Sequence, residues 1–570
     1  MISHRLILSS IVALAASISI AGPVRLATSF FISAGRTNPV ILDAKADASG
    51  NLVTAAQVDA TGGGKQIVIT KFTAAGVRRW SSTINTPVPV TSPGQVAGKF
   101  QIMLDGVGNT YVLSPRAGNP VIADTTQDIL IRKLSDTGAT VGYLSLVSYL
   151  FDLTGDKFDV SNTQMQSLPS GPEVVVACTA TSLGNRETLT YAFLLRGGVS
   201  GTAISVDGVQ SIAGFYFDFG DGSFHYTTFS AAGLLPGQVS ADGPQMRLFL
   251  QRERAYGSYP DIFRETGFQA YNTRITPSSF DLVGGNWRPL FESQLAPDAL
   301  GFEAEGVASV ADEGVLMSKN ANLSRYISRG DDDLVHSFVE VPSTVPHTAT
   351  RVGDNWLVYG HWSGGEYLLQ YPSVGDLRVA HTIASQGMGA PYYVGNSLTS
   401  SRGRAYLAGG PTVGAVQGMF SSFSSEGELV YSAGLNQPFT LETSFVVPAA
   451  NNRCWTVGKT STGLQAVILW KEPDYFVGIS ADYIVLRGNT VSVKAHLNTP
   501  APAGGYTFPV SVTSKLQNAP SSVTIAEGET SATFTVKVRN NATPGLATVT
   551  TRTNATYDVN TAHTATFSIR

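Results

Sequence analysis

The chain has 570 residues, of which 43% are hydrophobic and 14% charged, with a formal net charge of -4. Soluble domains average about 25% charged residues, and neither half here is conspicuously basic, so the electrostatic footprint of a nucleic-acid binder is missing. Fifty-eight Gly and 28 Pro among abundant Ser, Thr and Val point to an exported all-β chain rich in turns, not a helical enzyme.

Met1–Arg5 is a short basic start, and Leu6 to Ile20 is an uncharged apolar run. With small residues at Ser19 and Ala21, residues 1–21 are expected to be a signal peptide cut before Gly22. The alternative is an uncleaved anchor helix, although the run is shorter than the roughly 20 residues that span a bilayer. No later segment reaches that length, so no membrane span is expected once the signal is removed. The strand-like stretch Ala27 to Ala34 has no partner nearby, and residues 22–40 are expected to close a ring of sheets by joining its last member.

From Ile41 to Thr86 an apolar strand leads into the turn Asp47-Ala48-Ser49-Gly50-Asn51, a second strand returns, and two more follow around Ala75-Gly76, ending past Trp80. Residues 100–146 repeat this plan, with Asp105-Gly106-Val107-Gly108-Asn109 at the corresponding turn. Gly and Asn tolerate the positive φ of tight turns. Degenerate copies follow at 164–207, 212–275, 306–341, 349–383, 392–435 and 443–472. A four-stranded unit repeated at this spacing predicts an all-β fold, with residues 41–475 forming a seven- or eight-bladed β-propeller almost free of helix. Two separate β-sandwiches are the rival arrangement. Residues 476–570 turn Val- and Thr-rich at hairpin spacing and predict an immunoglobulin-like β-sandwich. Val491, Val493, Val510, Val512, Phe534, Val536 and Val549 are its expected core. Cys178 and Cys454 lie in distant modules, so buried free thiols are expected in place of a disulfide.

The first two modules resemble bacterial extracellular propeller repeats of the SBBP and quinoprotein-like type, through Asp47, Gly50, Asn51, Lys71, Phe72, Gly76 and Trp80 and through Asp105, Gly108, Asn109, Lys133, Leu134 and Gly138. The Gly-Lys blade signature and the calcium and quinone ligands of quinoprotein dehydrogenases are missing, so the resemblance implies the fold and not that activity. The tail resembles an immunoglobulin-like module of secreted bacterial proteins through Val485, Gly488, Val491, Val493, Ala501 to Gly505 and Val523 to Val536, with Arg487 replacing the usual second Gly. Such modules act as spacers or adhesive units.

Eight histidines show no metal-binding spacing. Asp152, Asp156 and Asp159 are a candidate calcium loop lacking the alternating geometry of known loops, and Asp331 to Asp333 are adjacent carboxylates that repel one another. No phosphate-cradling loop or nucleophile elbow is present, and no cofactor is expected. The stretch Gln245 to Trp287 departs from the module plan and interleaves aromatics with arginines. Its expected ligand-binding residues are Arg252, Arg254, Tyr256, Tyr259 and Trp287. Arg252 and Arg254 would share a strand face, while Tyr256 and Tyr259 would stand on a turn. Such a surface suits a glycan or cell-envelope polymer, which predicts a secreted protein for binding, adhesion or envelope structure. The alternative is a lyase or hydrolase acting on an extracellular polysaccharide.

Overall fold

The fold starts from its repeated turn. The Asp47 carboxylate accepts the backbone N–H groups of Ser49 at 3.0 Å and Asn51 at 2.9 Å, and the Asn51 amide donates back to it at 2.9 Å. Gly50, at φ 81°, completes the reversal. Asp105, Val107, Asn109 and Gly108 repeat the same bonds one module later. The side chains thus satisfy donors that a tight turn would otherwise leave open.

The computed structural model describes the chain from Val24 to Ile569, apart from residues 32–38, 86–99, 295–303, 383–398, 410–418 and 553–561 and connecting stretches of up to six residues. Residues 1–21, expected to be a signal peptide, therefore lie outside the described residues. Those that are described are nearly all strand, in sheets mostly of four whose pairings are antiparallel, except that Ile484–Val485 runs parallel to Ala562–Ile569 in the tail. The first sheet comprises Val40–Ala46, Leu52–Asp59, Lys65–Phe72 and Arg78–Asn85. The second comprises Gln101–Leu104, Thr110–Ala117, Gln127–Leu134 and Thr140–Ser145. The third starts at Phe158, six residues before the expected Gln164, and ends at Ala213. The fourth has five strands between Phe215 and Gln294. Sheets at 304–340, 344–382 and 399–434 follow, and the eighth joins the three strands at 441–471 to Val24–Phe31.

That last pairing is antiparallel and runs from Val24 opposite Lys471 to Phe31 opposite Gln465. The strand begins three residues ahead of the expected Ala27. A leading strand of each sheet packs against one of the next, and Leu441–Ala449 returns to Val40–Ala46, so the succession is cyclic. Burial explains it. Isoleucines and valines such as Val53, Ile67, Ile69 and Val112 fill one junction, while Ile129, Ile131, Val174 and Phe193 fill the next. The second sheet thereby hides both apolar faces, which one four-stranded sheet alone would leave wet.

Polar latches sit between the packed faces. Buried Asp43 accepts the Ile102 N–H of the second sheet at 2.8 Å, and burial raises its carboxyl above the ordinary value despite Lys45 nearby. Lys71, fully buried, reaches Asp136 of the second sheet at 2.5 Å, and Trp80 Nε1 donates to the Asp136 carbonyl at 2.7 Å. From the eighth sheet, Trp455 Nε1 reaches the Gly50 carbonyl of the first at 3.2 Å.

One helix, α1 (Leu146–Thr154), links the second and third sheets where the repeat plan left no helix. Ser145 caps its start by accepting from the Ser148 N–H, Gly155 ends it at φ 81°, and Leu146, Val147 and Leu150 fill the sheet junction. Asp128, wholly buried, accepts from Arg116, Asn119, Ser145 and the Val147 N–H, which seats the helix on the second sheet.

The tail forms two further sheets. One orders Val477–Ala481, Thr490–Leu497, Ser531–Val538 and Leu516–Gln517, and the other has five strands between Ile484 and Ile569. Val491, Val493, Phe534, Val536 and Val549 are buried in one core shared by both, with Val510 and Val512 partly buried against it. Cys178 and Cys454 are buried free thiols.

Candidate functional site

The stretch that broke the module plan is built from long strands and not from a loop. Gly243–Ser258 has 16 residues against eight for Leu52–Asp59, which at about 3.3 Å per residue makes it twice as long. Its flanking strands, Ser223–Ser240 and Asp261–Ile275, are lengthened to match. Leu248 and Leu250 are fully buried in a cluster with Val175, Ala177, Ala192 and Leu194 of the third sheet.

Residues two apart share a strand face, and the pairing of 247–258 with 261–272 runs without a register shift. Arg252, Arg254 and Tyr256 therefore continue the face of Leu248 and Leu250 away from that cluster. Arg252 stands opposite Phe229 and Gly267, and Arg254 opposite Thr227 and Glu265. Glu265 in turn stands opposite Glu292. Tyr256 pairs with His225 and Phe263.

Tyr256 does not stand on a turn as expected. It lies in the strand, because its pairing on both sides carries the ladder as far as Ser258. Its half-buried ring meets that of His225 edge to face, with centroids 6.2 Å apart and planes at 69°. Tyr259 lies outside the described residues. Trp287 stands opposite Gln269, itself opposite Leu250. That places it one row back from Arg252 and roughly 10 Å across two strands, so it does not join Tyr256. Thr227, beside this row, is buried with a hydroxyl that has no hydrogen-bond partner among the described residues.

No protein-family model matches the chain. No curated protein matches it either. Among solved structures it is similar at a distance to a prolyl endopeptidase, with 11% identity, TM-score 0.34 and coverage of 85% of this chain; it spans about half (55%) of that enzyme. A polysaccharide lyase, Uly1, aligns at 9% identity and TM-score 0.34 over 77% of this chain and 93% of its own. The N-terminal domain of Nup159 aligns at 10% identity and TM-score 0.26 over 79% and 95%. These neighbours differ in activity and assign none to this chain.

The register also brings in residues that reading Gln245 to Trp287 alone had missed. His225 and Glu265 flank the Arg–Tyr strand on either side. No local signal in the sequence marks either residue, since counting outward from the turn before Ser223 sets His225 against Phe217 of the preceding strand. The Asp152, Asp156 and Asp159 loop is organised otherwise: Asp159 accepts the Thr126 N–H and hydroxyl at 2.6 and 2.7 Å and the Gln127 N–H at 3.0 Å, while Asp152 and Asp156 are exposed. No three metal-ligating side chains converge among the described residues. Asp331 and Asp332 lie outside them.

Proposed function

We propose that this chain is an exported, non-catalytic binding protein. Its cyclic sheets would be an eight-bladed β-propeller carrying an immunoglobulin-like tail, and the long-stranded fourth sheet would hold an acidic glycan or cell-envelope polymer. The observation that carries the proposal is the strand Gly243–Ser258, which places Arg252, Arg254 and Tyr256 in one line on one face. Paired guanidinium groups suit carboxylate or sulfate, and an aromatic ring beside them suits the apolar face of a sugar. The eight sheets and the Val24–Phe31 closure support the propeller arrangement. The shared two-sheet core supports the tail module.

The test is a glycan array probed with residues 22–570. Arg252→Ala/Arg254→Ala should lose acidic ligands at least tenfold while keeping the thermal midpoint. Equal binding by this variant and the parent chain would overturn the site.

One observation favours a second reading. His225 and Tyr256 are neighbouring proton-carrying groups in line with Arg254 and Glu265, a set able to take and return a proton while a cation steadies an acidic sugar. A polysaccharide lyase would release unsaturated products from uronate polymers, detected by ultraviolet absorbance. Activity lost in His225→Ala would favour the enzyme over the binder.

A further inference from the structure

Beyond the fourth sheet, the junction between the first and second sheets carries a cation, Arg132, that has no ion-pair partner among the described residues. Leu134 and Val112 place one face of the second sheet against the first. Arg132 lies on that face, opposite Val112 on one side and Tyr143 on the other. Trp80 of the first sheet packs into the same junction, and Ser82, two residues along its strand, is half-buried there.

The other charges of this junction are already matched. Asp136 takes Lys71 and Arg79, and Asp128 takes Arg116. Arg132 has no carboxylate within ion-pair distance among the described residues, and its Nε is buried with no hydrogen-bond partner. A guanidinium has five N–H donors, and leaving buried donors unmade is costly. Burial, then the nearby Arg116 charge, pulls the Arg132 guanidinium below its ordinary value. Across the strand, Tyr143 is 72% exposed and offers a flat ring to solvent.

We propose that this wedge is an oxyanion site, in which Arg132 holds the sulfate or carboxylate of an acidic sugar and Tyr143 stacks on the sugar ring. Arg132 supplies the charge-assisted hydrogen bonds, and its planar fork fits two oxygens of one anion. Tyr143 supplies apolar contact without a conformational cost, because its ring already stands at the surface.

Calorimetric titration of the full chain with inorganic sulfate, a sulfated disaccharide, a uronate disaccharide and a neutral disaccharide tests this. Sulfate and at least one acidic disaccharide should bind, the neutral sugar should not, and the better of the two acids names the source of the anion. Arg132→Met should weaken the bound anions by roughly tenfold or more with no fall in thermal midpoint in anion-free buffer, since the guanidinium has no ion-pair partner to lose among the described residues. Tyr143→Ala should weaken the disaccharide several-fold and leave inorganic sulfate unchanged. Arg252→Ala/Arg254→Ala, in the fourth sheet, should leave sulfate binding at this wedge intact, so either site can fail alone. An Arg132→Met chain that binds as the parent does, or that unfolds at a markedly lower temperature, would overturn the proposal.

Discussion

Single residues matter most in this chain where two sheets meet. Lys71 is buried beneath Asp136, which also takes Arg79 at 2.8 Å. The hydrogen bond from Lys71 holds the Asp136 carboxyl below its ordinary value, desolvation opposes this, and the charges of Lys71 and Arg79 add to the lowering. A carboxyl lowered in the folded state stabilises fully above its unfolded value near 3.8, and that contribution disappears as pH falls through the folded value. Asp136→Asn should therefore lower the urea midpoint by a constant amount from about pH 5 to 8, and the gap to the parent chain should close in stronger acid. A gap that persisted below that range would assign the effect to packing. Gly138, beside this latch, sits at φ 84°, and a Cβ there would come within 2.6 Å of the Trp80 ring. Only glycine lets the indole lie flat on the turn and reach the Asp136 carbonyl.

At the scale of the element, the strand Val24–Phe31 is decisive. It completes the eighth sheet by covering Gln465–Lys471, in which Ala466, Val467, Ile468, Leu469 and Trp470 are buried. Without it an apolar edge with unpaired backbone groups would face water, a template for association with other chains. A chain starting at residue 39 should melt at least several degrees lower and aggregate at concentrations where the parent chain is monomeric. Added peptide spanning residues 24–31 should restore part of the midpoint. If truncation left both midpoint and solubility unchanged, the closure would contribute little. Helix α1 shows the opposite economy, since its nine residues fill a junction with Leu146, Val147 and Leu150 in place of a bare link.

At the scale of the whole molecule, burial divides the chain into separate cores. The tail core runs from Ile479 to Ile569 and shares no residue with the clusters of the preceding sheets. A domain with its own core folds alone. Residues 476–570 expressed by themselves should show one cooperative thermal transition, and a fragment that stayed unfolded would show that the tail borrows stability from the sheets before it. The cyclic sheets behave otherwise: each junction is shared, so no single sheet from 41 to 471 is expected to fold in isolation.

The sequence by itself determined the class of the fold and its chemistry of reversal. Asp, Gly and Asn at set positions can only make the tight turns seen at 47–51 and 105–109, because their bonds close within five residues and need no distant partner. Alternating apolar residues likewise dictated strands in antiparallel fours. What joins one unit to the next was not legible. Lys71 meets Asp136 across 65 residues, and Trp455 meets Gly50 across 405, and nothing local marks either pair. The candidate sites divide in the same way. Period-two spacing was enough to align Arg252 with Arg254. Only register set His225 against Tyr256, drew Tyr256 into the strand and left Trp287 apart, because each depends on which residue of the neighbouring strand lies opposite. Arg132 stood out least, as one arginine among many in the sequence. That its guanidinium lacks an ion-pair partner among the described residues is a property of the packed junction, where Asp128 and Asp136 are already taken by other cations.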